Sequence, residues 1–186
     1  MITLFKKIAV LALVLGFFTQ ANASELYVFV NDTILKAKDG KSAKLFLGVP
    51  VTVKKDNGKD VDVSVQGYLD GLNVYSSKAK ELLIATVDKD FKMKSKAGNQ
   101  VELEGSIEKE SLVEDSSEVW EEHEEFFFEM CTQCHAAPKV PHHTMIEWEA
   151  LFGAMKGFAK LDDEESDYLL RYLKSNASNG LIKAKH

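Results

Sequence analysis

The sequence predicts an α+β chain in two domains, a small all-β barrel followed by an all-α region, and three observations carry that expectation. Apolar residues alternate with a period of two from Leu26 to about Val113, the spacing of strands that have one wet face. Turn signals at Asn31-Asp32, Asp39-Gly40, Asp56-Asn57-Gly58, Asp70-Gly71 and Gly98-Asn99 cut that stretch into short strands. After Val113 the apolar residues recur at helical spacing instead.

The elements follow in order. Residues 1–23 place Lys6 and Lys7 ahead of an apolar run from Ile8 to Phe18 and end in Ala21-Asn22-Ala23, the pattern of a cleaved signal peptide. The run falls short of the ~20 residues a membrane span needs, so a periplasmic protein without a stable membrane anchor is expected. Residues 24–113 form the expected barrel, with Tyr27-Phe29, Val51-Val53, Val61-Val63-Val65 and Val101-Leu103 in alternation. This segment holds no titratable cluster, phosphate loop or nucleophile with a matching base.

Residues 114–180 are expected to be helical, with 181–186 as a tail. Asp115 with Glu118 predicts a capping box for a helix whose stripe is Val119, His123, Phe126 or Phe127, and Met130. Thr144 with Glu147 opens a second helix, with Trp148, Leu151, Met155 and Phe158 on one side. Asp162 with Glu165 opens a third, carrying Leu169, Tyr172 and Leu173. A net charge of −6 excludes a nucleic-acid binder, which needs clustered cations to neutralise phosphates.

The chemistry concentrates in Met130–Met145, which holds both cysteines, three of the five histidines and two of the three prolines. A disulfide between Cys131 and Cys134 closes so small a ring that it adds little stability. Cys131-Thr132-Gln133-Cys134-His135 is instead the c-type haem attachment pattern. The two-residue gap lets both thiols face one ring edge, and His135 turns beneath it as the proximal iron ligand. One covalently bound haem c also supplies apolar surface that so short a helical region lacks. The competing readings are a dithiol oxidoreductase, which wants a strand before its CxxC, and a structural zinc site built from Cys131, Cys134, His142 and His143. For the distal iron position the sequence offers Met155 first and His142 as the alternative, with an open site as the third case; Met145 and Met130 are weaker.

The run from Cys131 to Asn176 resembles the C-terminal haem module of the TorC-type pentahaem cytochromes of trimethylamine N-oxide reductase systems. The matching elements are CxxCH, Pro138, His142, the helix from Trp148 to Met155, Leu161-Asp162-Asp163-Glu164-Glu165, and Tyr172-Leu173. The resemblance extends upstream, where the β half is similar to the Src-homology-3-like barrel that precedes this module. It implies a cytochrome c-like helical domain and an electron carrier in anaerobic respiration rather than an enzyme. The implied acceptor is a periplasmic molybdopterin oxidoreductase. With a single CxxCH the chain looks like the terminal relay alone, so the implied donor is a separate quinol-oxidising cytochrome. Two other functions stay open: a haem sensor with an open distal site for gas or peroxide, and a partner-binding β module stapled to a haem region.

Overall fold

A computed structural model describes residues 24–183; the expected leader, 1–23, and the last three positions of the tail lie outside the described residues. Ten strands come first: β1 (Glu25–Val28), β2 (Thr33–Lys36), β3 (Ser42–Leu45), β4 (Pro50–Asp56), β5 (Asp60–Asp70), β6 (Asn73–Tyr75), β7 (Leu83–Val87), β8 (Lys94–Ser95), β9 (Gln100–Glu108) and β10 (Leu112–Val113). β5 organises them. One edge pairs with β9 from Asp60 opposite Glu108 to Tyr68 opposite Gln100, while the other edge pairs first with β4 and then with β6. The circuit β5-β6-β7-β3-β2-β9 therefore closes on itself as a six-stranded antiparallel barrel. Closure removes the unpaired edges that an open sheet would expose. β4, β1 and β10 extend outward from β5, and β8 extends from β9.

The alternation explains the filling. Leu35, Leu45, Val61, Val63, Leu103 and Ile107 all point inward and are fully buried, while Ile34, Lys36, Asp60 and Gln66 stay outside. Gly105 permits the tight approach of β9 to β2, because a Cβ there would sit 2.6 Å from the Lys36 carbonyl oxygen.

Three helices follow: α1 (Ser116–Cys131), α2 (Met145–Met155) and α3 (Asp163–Ser175). Capping boxes open α2 at Thr144/Glu147 and α3 at Asp162/Glu165, whereas the Asp115 carboxylate caps α1 by accepting from the Ser117 amide at 3.0 Å. α1 buries Val119, Trp120, His123 and Phe127, and its crossing with α3 is made by aromatic rings, Phe127 and Trp120 each 6.0 Å from Tyr172. α2 departs from the expected stripe. It buries Met145, Trp148 and Phe152, leaving Leu151, Met155 and Phe158 at 41, 43 and 80 % exposure. Nearly every side of this helix is apolar, so periodicity alone does not select the face that α3 covers.

The fold class needs a correction. The expectation was an α+β chain with a Src-homology-3-like barrel and an all-α, cytochrome c-like haem domain. The described chain is mostly β, ten strands around one closed barrel, and carries only three α-helices. Those helices supply most of a second apolar cluster but complete it on the barrel. Leu82 from the barrel is buried in their apolar cluster, and Tyr27, Leu47 and Val113 pack against it. Arg171 of α3 reaches the barrel backbone, its Nε and Nη2 donating to the Leu47 carbonyl at 3.0 and 2.6 Å and its Nη1 to the Leu83 carbonyl at 3.0 Å. The Trp120 ring fills the space where a Gly48 side chain would stand, and Gly48 itself holds φ +77°. Three helices of 16, 11 and 13 residues offer too little area to exclude water unaided, so they complete their burial on the barrel.

Candidate functional site

The segment Cys131–His135 lies where α1 ends. Thr132 caps the helix through its amide and its hydroxyl, both donating to the Phe128 carbonyl, at 3.1 and 2.6 Å. The Gln133 side-chain amide donates to the Glu129 carbonyl at 3.1 Å. The two residues between the cysteines thus fasten the last turn, and the thiols are left free, Cys131 half-buried and Cys134 exposed. Burial pushes the Cys131 thiol above its ordinary pKa, so it rests protonated near neutrality.

His135 is exposed, with Nδ1 2.9 Å from the Ala136 carbonyl oxygen. A carbonyl only accepts, so this contact suits the Nδ1–H tautomer, the one that leaves Nε2 for a metal. The chain then turns through Pro138 into a 3-10 turn at Val140–His142. The Trp148 indole N–H donates to the Val140 carbonyl at 2.8 Å, and the His143 ring meets Trp148 edge-on at 5.1 Å.

Beside this segment lies a cleft of about 820 Å³, lined by Phe128, Pro138, Val140, Pro141, Tyr172 and Ile182 among others. Cys131 stands three residues after Phe128 on α1, but Cys131, Cys134 and His135 do not themselves line the cleft. The volume falls within the range of cofactor and ligand pockets. Large apolar side chains are exposed elsewhere in the helical region as well: Phe128, Ile146, Leu151, Met155 and Phe158. An unpaired thiol pair, a histidine with its Nε2 bare, and uncovered apolar surface together fit a covalently held haem. The zinc alternative requires four converging ligands, and among the described residues no three His, Cys, Asp or Glu side chains converge.

The two distal candidates are placed apart. His142 is exposed in the 3-10 turn, and Met155 is the last residue of α2; neither lines the cleft. His123 is excluded from the site by burial. It stacks on Tyr168 at 3.6 Å, its Nδ1 has no hydrogen-bond partner, and burial, with the nearby Arg171 charge, lowers its pKa to about 4. Sequence reasoning missed Arg171 and Asn179. Their partners lie far away in the chain, and no local pattern announces them.

The chain is 25% identical over 177 residues to the cytochrome c-type protein TorC of Escherichia coli K12, covering 86% of this chain and 45% of that one. It is likewise 25% identical over 173 residues to the cytochrome c-type protein TorY of Escherichia coli O157:H7, covering 85% and 46%. The chain therefore spans less than half the length of these relatives. No family model and no solved structure matches. The likeness supports a distant relationship to TorC/TorY-type cytochrome c-type proteins.

Proposed function

We propose that this chain is a monohaem c-type cytochrome, exported to the periplasm, that passes single electrons from a quinol-oxidising cytochrome to a molybdopterin N- or S-oxide reductase. The observation that carries the reading is the end of α1, where Thr132 and Gln133 fix the backbone while Cys131 and Cys134 remain unbonded beside apolar surface. Likeness to TorC and TorY supports the electron-carrier class, and the donor and acceptor follow from the resemblance alone.

In this reading Cys131 and Cys134 hold the ring through thioethers and His135 binds iron through Nε2. The haem, when bound, supplies a one-electron ferric/ferrous couple. The Ala136 carbonyl keeps the proton on Nδ1 and fixes the imidazole plane, which raises the basicity of Nε2. Phe128 and the exposed apolar residues of α2 would shield a bound ring from water, and Trp148 holds the Val140 backbone of the loop after His135. Met155 is the distal ligand we favour, with His142 as the alternative.

The test is expression in a periplasm competent for haem attachment, followed by mass and absorption measurements. A single haem on the Cys131–His135 peptide and a low-spin ferric spectrum are expected. Met155→Leu should remove the far-red sulfur-to-iron band and His142→Ala should keep it. A high-spin protein that binds CO directly would make the chain a sensor instead, and free thiols would end the reading altogether.

A further inference from the structure

Several segments of the β region meet the helices, and one of them does so through three consecutive residues. Glu81 contacts by its carboxylate, Leu82 by its buried side chain, and Leu83 by the carbonyl that accepts from Arg171. The residue on the helical side of the Glu81 contact is Asn179. Its amide nitrogen donates to Glu81 Oε1 at 3.3 Å, and its Oδ1 accepts from the backbone N–H of Met145 at 2.7 Å. Glu81 is itself held from the other side, with Oε2 accepting from the Ser77 hydroxyl at 2.8 Å. One position earlier, the Ser178 N–H donates to the His143 carbonyl at 2.8 Å.

Met145 is the first residue of α2, so its N–H is one of the four that the helix cannot satisfy internally. The Thr144 hydroxyl serves a different amide, that of Glu147. The start of α2 is thus held twice: locally by its capping box, and through Asn179 by the barrel. Trp148, one turn along, carries the same restraint to the Val140 carbonyl in the loop after His135.

We propose that Asn179 is a positioning residue for the haem iron, fixing α2 and the loop after His135 to the barrel and so setting where the distal ligand sits. This rests on the haem reading above but not on which distal ligand is correct. His142 lies three residues before Met145, and Met155 lies at the far end of the helix Met145 begins. A shift of that first turn moves both. A purely local cap would need only the contact to Met145, so the contact to Glu81 is what separates the two roles.

The experiment uses the holoprotein. Asn179→Asp keeps an acceptor for Met145, removes the donor to Glu81 and sets two carboxylates face to face. We expect its reduction potential and ferric low-spin spectrum to shift, while in Asn179→Ala, which also removes the acceptor, the Met145 amide should exchange roughly three- to tenfold faster, the range for one lost hydrogen bond. Adding Glu81→Lys restores an attractive pair and should return the potential and the spectrum to the wild-type values, a rescue that a merely destabilised chain does not show. Unchanged potential and spectrum in both Asn179→Asp and Asn179→Ala, or failure of the double variant to rescue, would overturn the positioning role while the haem stays attached. A wild-type chain without covalent haem would overturn the haem reading, and this role with it.

Discussion

The barrel and the helices solve the same burial problem to different degrees. Residues 24–113 carry fourteen acidic and fourteen basic side chains, whereas residues 114–183 carry fifteen acidic against six basic. The barrel closes its ring of strands around a continuous core, and a single unpartnered buried side-chain atom, Ser76 Oγ, is found there among the described residues. The helices leave four such atoms, Trp120 Nε1, His123 Nδ1, Ser166 Oγ and Ser175 Oγ, and expose Phe128, Ile146, Leu151, Met155 and Phe158, against Phe29, Val30, Ile34 and Leu72 exposed in the β region. Buried polar groups are ordinarily paired and apolar patches ordinarily covered. The contrast teaches that the barrel pairs nearly all of its buried polar atoms by itself, while the helices complete their burial on the barrel and leave more such atoms unpaired.

The strongest way to break that comparison is to separate the two regions. Gly48→Val adds a β-branched side chain at φ +77° and drives it into Trp120. Left-handed strain and overpacking together should cost about 3–5 kcal/mol, read by denaturant titration of the Trp120 fluorescence. A loss below about 1 kcal/mol would mean that the helices do not depend on this contact.

Arg171→Met keeps the stem of the side chain and removes three donors, leaving the Leu47 and Leu83 carbonyls short of partners. A loss of about 2–4 kcal/mol is expected. Arg171→Lys should recover only part of it, because an ammonium cannot reproduce the guanidinium fork.

His123 sharpens the comparison through pH. Its folded pKa, about 4, lies below the ordinary value of 6.5, so the unfolded chain binds more protons between those limits. Its contribution is complete above about pH 6.5 and is lost as pH falls toward 4, by at most about 3 kcal/mol. His123→Phe should flatten that part of the stability profile; an unchanged slope would assign the acid sensitivity elsewhere. The smallest effect belongs to the α2 cap, where Thr144→Ala should cost about 1 kcal/mol in thermal unfolding and leave the barrel strands untouched.

What the sequence revealed was what is local. Period-two alternation placed Val61-Val63-Val65 and Val101-Leu103 on strands, and the Thr144/Glu147 and Asp162/Glu165 pairs marked two helix starts, because each signal spans only a few residues. The CxxCH spacing of Cys131, Cys134 and His135 is a local pattern of the same kind, and the haem role it suggests belongs to the proposal. The fold class was not, because the contacts that join helices to barrel link Leu47 to Arg171, 124 positions apart, and Gly48 to Trp120. Asn179 stayed hidden too, with one partner 34 and the other 98 residues away. The face α2 buries was lost in its nearly uniform apolarity, where every register looks equally good.

Amide hydrogen exchange across the whole chain, compared between the haem-loaded protein and a Cys131→Ala/Cys134→Ala variant, tests the central claim most directly. The account predicts that loading protects α1, the loop to α2 and α2 itself at least tenfold while the buried strands β5 and β9 exchange alike in both, since only the helices await a partner. Equal protection of the helices with and without the group would contradict it.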